Sequence, residues 1–170
     1  MDDTPAVVED LALGAFRLVK QSLDLELDFS METLPILDHY LASLREADDG
    51  EPDEKLIAVV GPCAGAYFGE VCRRTLTGLA WSLPDDPHEY RDWRIEAHAH
   101  DLSFNPIGAA LEAVFAEPFA DWHAHLELPK EGRMKVDAAL DAAGPVREDD
   151  FFRLAIRHEA LELALSALRR

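Results

Sequence analysis

The stretch from residue 61 to residue 81 constrains the fold more than any other part of the chain. It combines glycines, alanines, a group of ionisable side chains and a helix stop signal at Gly78. At about 100° per residue, Gly65, Gly69 and Cys72 fall on one line of a helix. A line without bulky side chains lets another part of the fold approach closely. The sequence therefore predicts that this face is buried against the last helix or the sheet.

The opposite line of the same helix carries chemically varied side chains. Cys63, Tyr67, Glu70 and Arg74 share this line, and Arg73 flanks them. Tyrosine and arginine are favoured in binding hot spots, so the pattern predicts an outward face that binds another protein. The alternative is that Tyr67 packs at the helix edge while Glu70 and Arg74 pair across one turn in water.

A resemblance to a known family rests on the same stretch. Gly-Ala-Tyr-Phe-Gly-Glu at 65–70, followed by two arginines and Trp81, resembles an uncharacterised bacterial domain family. In that family a Gly-Ala-Tyr-x-Gly-Glu helix leads into a strand that bears a tryptophan. Asp-Phe-Ser at 28–30, Phe-Asn-Pro at 104–106 and the segment 150–159 are also similar. The resemblance implies a fold without implying a reaction, and Pro62 departs from the pattern by predicting a kink.

Helical patterns alternate with short segments typical of strands. Thr4 and Pro5 are typical of a helix start, and Asn105 is a second predicted cap. Strict alternation predicts strands, and spacings of three and four predict helices. The sequence predicts one α+β domain over residues 1–170, with helices packed around a small, mainly antiparallel sheet. The first predicted helix begins at residue 5, the second covers 30–44 or 33–44, and the third runs from 62 or from 53 to about 78. The other predicted helices cover 106–116, 132–143 and 145–170, the strands 23–29, 79–83, 93–100, 102–105 and 121–128, and a polar loop 47–53.

The last predicted helix has the clearest periodicity. Its apolar stripe runs from Phe151 through Leu154, His158, Leu161 and Leu165. A second apolar line indicates a core helix rather than a surface one. Because His158 lies on the apolar stripe, we expect a buried histidine bonded to a polar partner rather than a metal ligand.

Charge excludes several classes of function. The chain has 16 basic and 34 acidic residues, a net charge of −18. Such a surface repels nucleic-acid phosphates and anionic lipid headgroups, so neither partner is expected. No apolar run reaches the roughly 20 residues that a membrane span needs. The acidic N-terminus is unlike a secretory signal, which favours the cytoplasm.

The cysteines and histidines are the remaining candidates for chemistry. Cys63 and Cys72 would lie about 13 Å apart on one helix, too far for a disulfide. If Pro62 starts the helix, the pKa of Cys63 falls; if the helix begins earlier, that activation is lost. Two His-x-His pairs on predicted strands are weak metal candidates, but we expect them to occupy wet faces without a metal, and no cofactor is expected. These residues are His98, His100, His123 and His125.

These observations favour a non-enzymatic protein-interaction or regulatory domain. No phosphate-binding loop, nucleophile elbow or dinucleotide motif is present in the sequence. The alternatives are a small metal- or thiol-dependent enzyme and an acidic inhibitor or immunity-type protein for a basic partner. The sequence leaves the oligomeric state and the pathway open.

Overall fold

Six helices carry most of the residues that the structure, a computed structural model, describes: 4–47 and 53–170. Most of the loop predicted over 47–53 lies outside those residues. Asp24, in the left-handed conformation, ends the first helix with its N–H bonded to the Lys20 carbonyl. The Asn105 side chain caps the fourth helix, as predicted, by accepting from the N–H of Ile107. The helices are α1 (Ala6–Leu23), α2 (Leu34–Glu46), α3 (Asp53–Thr75), α4 (Pro106–Phe115), α5 (Lys130–Ala143) and α6 (Leu154–Leu168).

Helix α3 continues through Pro62 by means of a wider turn. Its segment Leu56–Val60 is π-helical, and the N–H of Gly61 bonds to the carbonyl of Leu56. Proline has no N–H, and its ring crowds the carbonyl four residues earlier in a regular α-helix. A π turn directly before Pro62 relieves that crowding, so the irregularity predicted at this position is realised without ending the helix.

Helix α3 is the central element and is flanked by two antiparallel neighbours. An ideal Cβ on Gly65 would lie 2.4 Å from the Cα of Ile107 in α4. On the other side, an ideal Cβ on Gly14 of α1 would lie 2.7 Å from the Cys63 sulphur. The predicted burial of the glycine face is confirmed. The neighbour of Gly65 is α4, however, rather than the last helix or the sheet.

The sheet has three short antiparallel strands in the order β1 (Ala80–Ser82), β2 (Arg94–Ala97) and β3 (Leu102–Phe104). Trp81 pairs with Ile95, and Ile95 pairs with Phe104. One face of β2 is buried, and Trp81 closes the gap over Gly69, where an added Cβ would meet its ring at 2.3 Å. The α+β class, with one small antiparallel sheet in a single compact domain, is confirmed.

Two predicted strands are absent from the described residues. Residues 24–29 follow α1 without pairing to any strand, although they alternate. Residues 121–128 form only one isolated bridge, between Ser103 and Glu127. The left-handed φ values of Asp121 (69°) and His123 (51°) break the extended conformation there. Alternation of polar and apolar residues therefore also occurs in segments that lie along the core without pairing to a neighbouring strand.

Helix α6 lies in the core at its predicted stripe. Leu154, His158, Leu161 and Leu165 are buried, whereas Phe151 precedes the helix and is 51% exposed. The Nε2 atom of His158 lies 2.7 Å from the Thr75 hydroxyl oxygen. The predicted buried histidine with a polar partner is therefore confirmed, and burial lowers its pKa.

Helix α3 also corrects the expectation about membrane spans. It is 23 residues long, and by length and composition it could cross a bilayer. However, 78% of its most apolar window is buried inside the fold. Burial of this kind is typical of the core helix of a globular domain, which accounts for the apolar composition.

Candidate functional site

The face of α3 that was predicted to point outwards is buried. Tyr67 and Glu70 are 0% exposed, and Cys63 is 7% exposed. The prediction of an open binding face on this line is wrong, because α1, the segments on both sides of it and Trp81 cover the line. At its C-terminal edge, 18% of the Arg73 side chain and 37% of the Arg74 side chain reach solvent.

Tyr67 anchors the segment between α1 and α2. Its hydroxyl oxygen accepts a 3.0 Å hydrogen bond from the backbone N–H of Phe29 and contacts the Thr33 hydroxyl. Its ring stacks on Phe29 at 5.2 Å and meets the edge of Phe16 at 5.7 Å. Burial raises the pKa of Tyr67, so the hydroxyl keeps its proton. The residue therefore ties α3 to the segment between α1 and α2.

Glu70 is the centre of a buried polar network. The Thr4 hydroxyl donates to it at 2.6 Å, the Trp81 indole N–H at 2.9 Å, and the guanidinium groups of Arg73 and Arg74 at 3.0 and 2.8 Å. Burial alone would raise its pKa, but these donors outweigh burial and hold the pKa at about 2. The predicted Glu70–Arg74 pair exists, as part of a tie between the N-terminal segment, α3 and β1.

Thr4 takes part in this network instead of capping α1. The structure gives α1 no side-chain cap, and Pro5 occupies the cap position. The predicted Thr4 cap is therefore wrong. Its hydroxyl donates to Glu70 and accepts from Arg73 at 2.8 Å.

Cys63 lacks the features of an activated thiol. It lies inside the continuous helix α3 rather than at a helix start, and burial raises its pKa. Cys72 is also buried, and burial raises its pKa as well. Both cysteines are free, as predicted. A thiolate nucleophile is not supported at either position.

Three of the four candidate histidines contact acidic side chains, each a different one. His98 and His100 lie in a short 3-10 turn, and His98 contacts Glu96 at 3.4 Å. His123 Nδ1 lies 2.6 Å from a Glu127 oxygen, and His125 Nε2 lies 3.4 Å from Glu112. Within residues 4–47 and 53–170, no group of three histidine, cysteine or acidic side chains could hold a metal.

Glu112 is a second buried carboxylate, which sequence reasoning missed. It is 1% exposed and lies in α4, whose other residues are all apolar or small. Arg157 of α6 donates to it, and so does the backbone N–H of Phe119 at 2.9 Å. Burial lowers the pKa of Arg157, although the Glu112 charge opposes this effect. The sequence feature that could have identified Glu112 is a single carboxylate in an otherwise apolar helix.

A cleft of about 320 Å³ opens above Glu112. The segment 118–127 forms most of its wall, and the two left-handed residues Asp121 and His123 lie in that wall. Non-glycine residues in this conformation are uncommon and often cluster at functional sites. We call this site the Glu112 cleft; its polar and aromatic lining is Glu112, Phe119, Asp121, His123, His125 and Glu127.

Asp38 is a third buried acid, and it caps α6 from α2. Its two carboxylate oxygens accept from the N–H groups of Leu154 at 2.7 Å and Ala155 at 3.0 Å. Burial raises its pKa to about 6, against these hydrogen bonds and nearby arginines, which lower it. Asp38 therefore links α2 to α6 through a group that titrates near neutrality.

We expect the Asp38 contact to depend on pH. The folded pKa of about 6 lies above the ordinary value of 3.8, so the folded protein keeps a proton that the unfolded chain releases. The contribution of Asp38 to stability should therefore fall as pH rises from about 4 to 6, by at most about 3 kcal/mol. The measurement is denaturant unfolding of the wild type and Asp38→Asn across this range.

The control for this experiment is Asp10→Asn, which removes an exposed carboxylate from α1. The free-energy difference between the wild type and Asp38→Asn should shrink or reverse with rising pH, whereas the Asp10→Asn difference serves as the baseline. A difference for Asp38→Asn that grows with pH would contradict the raised pKa.

Comparisons with protein-family models, curated proteins and solved structures give no match to this chain. The resemblance to the Gly-Ala-Tyr-x-Gly-Glu family therefore stays a prediction.

Proposed function

We propose that this protein is a non-enzymatic, cytoplasmic binding domain that recognises a basic surface of another protein. The observation that carries the proposal is the excess of acidic over basic side chains at the surface. Both kinds of charge are mostly exposed, but several of the arginines are already bonded to groups of their own chain. A surface of this kind suits a cationic partner and disfavours nucleic acid and anionic membranes.

Many of the arginines bond to groups of their own fold. Arg73, Arg74 and Arg157 bond to the buried carboxylates Glu70 and Glu112. Others donate to backbone carbonyls, which removes part of their capacity to bind external anions: Arg45 to Ala113, Arg94 to Trp93, Arg133 to Leu126 and Arg169 to Thr77.

The acidic side chains outnumber the basic ones at the surface. Among the residues that the structure describes, every aspartate and glutamate is exposed except Asp38, Glu70, Glu96, Glu112 and Asp150. The net charge of −18 is therefore concentrated at the surface. Long-range attraction would speed encounter with a basic protein and would orient it before contact.

The burial of the α3 line moves the proposed interface away from the residues first considered. Tyr67 and Glu70 are enclosed, so binding through them would require part of the fold to open. The thiol-dependent alternative loses support because burial raises the pKa of Cys63. An inhibitor or immunity-type role for a basic partner agrees with the same charge distribution and is the narrower form of this proposal.

The test is capture from the native host lysate with the full-length protein. We expect recovery of a partner with a pI above about 9, and we expect recovery to fall steeply between about 0.15 and 0.5 M salt. Recovery of acidic or neutral proteins alone, or recovery that does not depend on salt, would contradict the proposal.

Arg74→Gln tests the interface that the sequence first predicted, on the α3 line through Tyr67 and Arg74. It changes the most exposed of the α3 candidates and leaves the surface acids intact. We expect the same recovery of the basic partner as with the wild type. Loss of recovery at an unchanged melting temperature would return the interface to the edge of α3 and reject the acidic surface.

A further inference from the structure

The Glu112 cleft has the chemistry of a receptor for a single cationic side chain. We propose that it accepts the ammonium or guanidinium group of a lysine or arginine presented by the basic partner. This inference rests on the proposed function and assigns one contact within it. Three properties of the cleft favour such a ligand: the acceptor atoms that line it, its negative charge, and the rigidity of its wall.

His123 offers an acceptor to the cleft. Its Nδ1 atom lies 2.6 Å from the Glu127 carboxylate, which can only accept, so Nδ1 carries the proton. The Nε2 atom of a neutral His123 is then an acceptor. The Nε2 atom of His125 lies 3.4 Å from a Glu112 carboxylate oxygen.

The other polar side chains of the cleft are carboxylates. Asp121 and Glu127 are exposed at the rim, and nearby arginines are bonded within the fold: Arg157 to Glu112 and the Ala124 carbonyl, and Arg133 to the Leu126 carbonyl. With neutral histidines the cleft therefore has an excess of negative charge and of acceptors. A ligand that complements it must carry both positive charge and several donors, which describes an ammonium or a guanidinium group.

The wall of the cleft is fixed by backbone contacts. The N–H of Asn105 donates to the His123 carbonyl at 2.8 Å, and Ser103 and Glu127 exchange two backbone bonds of 3.1 and 2.8 Å. Gly108 of α4 lies so close that an added Cβ would be 2.6 Å from the Trp122 carbonyl oxygen. A wall held in this way loses little freedom on binding, which favours affinity.

Part of the cleft lining is apolar. Phe119 and Leu126 line it, and the Phe119 ring stacks on Phe115 at 5.1 Å and meets Trp122 edge-on at 6.4 Å. The methylene stem of a lysine or arginine packs well on such a surface while its charged end reaches the rim. A bare metal ion or a small inorganic cation would leave this apolar part uncovered.

The test is titration of the full-length protein with defined probes, and NMR of the backbone amides measures binding. The probes are acetyl-Gly-Lys-Gly-amide, acetyl-Gly-Arg-Gly-amide, the neutral acetyl-Gly-norleucine-Gly-amide, and putrescine. We expect the two cationic peptides to shift amide signals of residues 119–127 with a Kd of about 1 mM or tighter. We expect no saturable shift with the norleucine peptide. Equal shifts from cationic and neutral peptides would overturn the proposal.

The double variant Asp121→Asn, Glu127→Gln removes the rim charge while preserving size, and asparagine tolerates the left-handed conformation at 121. We expect it to weaken cationic peptide binding at least about fivefold. The control Glu159→Gln, Glu162→Gln removes the same charge from exposed positions on α6 and should leave binding within about twofold of the wild type. Unchanged binding by the rim variant would overturn the proposal.

The remaining outcomes separate this inference from the proposed function. Putrescine binding as tightly as the peptides would assign the cleft to free amines and reject a protein side chain as its ligand. A basic partner recovered equally by the wild type and the rim variant would reject the cleft and keep the proposed function. Cationic peptide binding in the cleft without any basic partner from the lysate would keep the cleft as a receptor for cationic peptides and reject the proposed function.

Discussion

Replacing Gly65 by alanine should destabilise the protein by about 3 kcal/mol, even though alanine favours a helix over glycine by up to about 1 kcal/mol. An added Cβ would lie 2.4 Å from the Cα and 2.8 Å from the backbone nitrogen of Ile107. Because these are backbone atoms, no side-chain rotation relieves the clash, and α4 as a whole must move. Denaturant unfolding followed by circular dichroism measures the loss.

Gly132→Ala is the matched control for this prediction. Gly132 lies on the surface helix α5, and its added Cβ would meet the end of the Leu168 side chain at 3.2 Å and make only ordinary contacts with Leu128, at 3.6 Å or more. We expect a change within about 0.5 kcal/mol or a small gain in stability, since a flexible side chain yields and helix propensity improves. Equal effects of the two substitutions would show that the α3–α4 contact is looser than the structure indicates.

Replacing Glu70 by alanine should cost about 3 kcal/mol. The substitution removes the acceptor of the Trp81 indole N–H and of the Thr4 hydroxyl, and it leaves the Arg73 and Arg74 charges beside a buried gap. The value lies at the low end for a broken buried ion pair, because both arginines reach solvent in part. Chemical unfolding at pH 7 gives the loss, and Trp81 fluorescence reports the local change.

Two comparisons make the Glu70 prediction specific. Glu117→Ala, at an exposed position after α4, should change stability by less than about 0.5 kcal/mol. The pKa of about 2 lies below the ordinary 4.5, so the stabilisation by Glu70 is present above pH 4.5 and is lost as pH falls towards 2. Partial hydration of the arginines limits this loss to about 1–2 kcal/mol. A variant that unfolds like the wild type across this range would contradict the network.

Several features of the fold were predictable because they depend on local rules. The spacing of Gly65 and Gly69 indicated a close packing face, and the stripe around His158 indicated a core helix with a bonded histidine. Both predictions are confirmed by burial and contacts. The alternation over 93–100 likewise predicted a strand, and β2 forms the first part of it. Local periodicity fixes which sides of an element are apolar.

The candidate site was harder to predict, since a polar residue can lie at the surface or be buried with a bonded partner. The line through Tyr67 and Glu70 contains side chains typical of a surface, yet each finds buried partners from distant parts of the chain. Glu112 and Asp38 similarly lie in α4 and α2, and their partners come from α6 and, for Glu112, also from the segment after α4. The burial of a polar group depends on partners that lie up to 117 positions away in the sequence.

The sequence by itself determined the elements whose causes are local: the cap at Asn105, the glycine face of α3, the apolar stripe of α6, and the excess of acidic charge. The tertiary structure decided what covers each face and which charges meet. It enclosed Tyr67 and Glu70 beneath α1, bonded Arg157 to Glu112, and turned the segment that carries His123 and His125 into the wall of a cleft. The physical reason is that periodicity describes one element, whereas enclosure and charge pairing require two or more elements to meet in space.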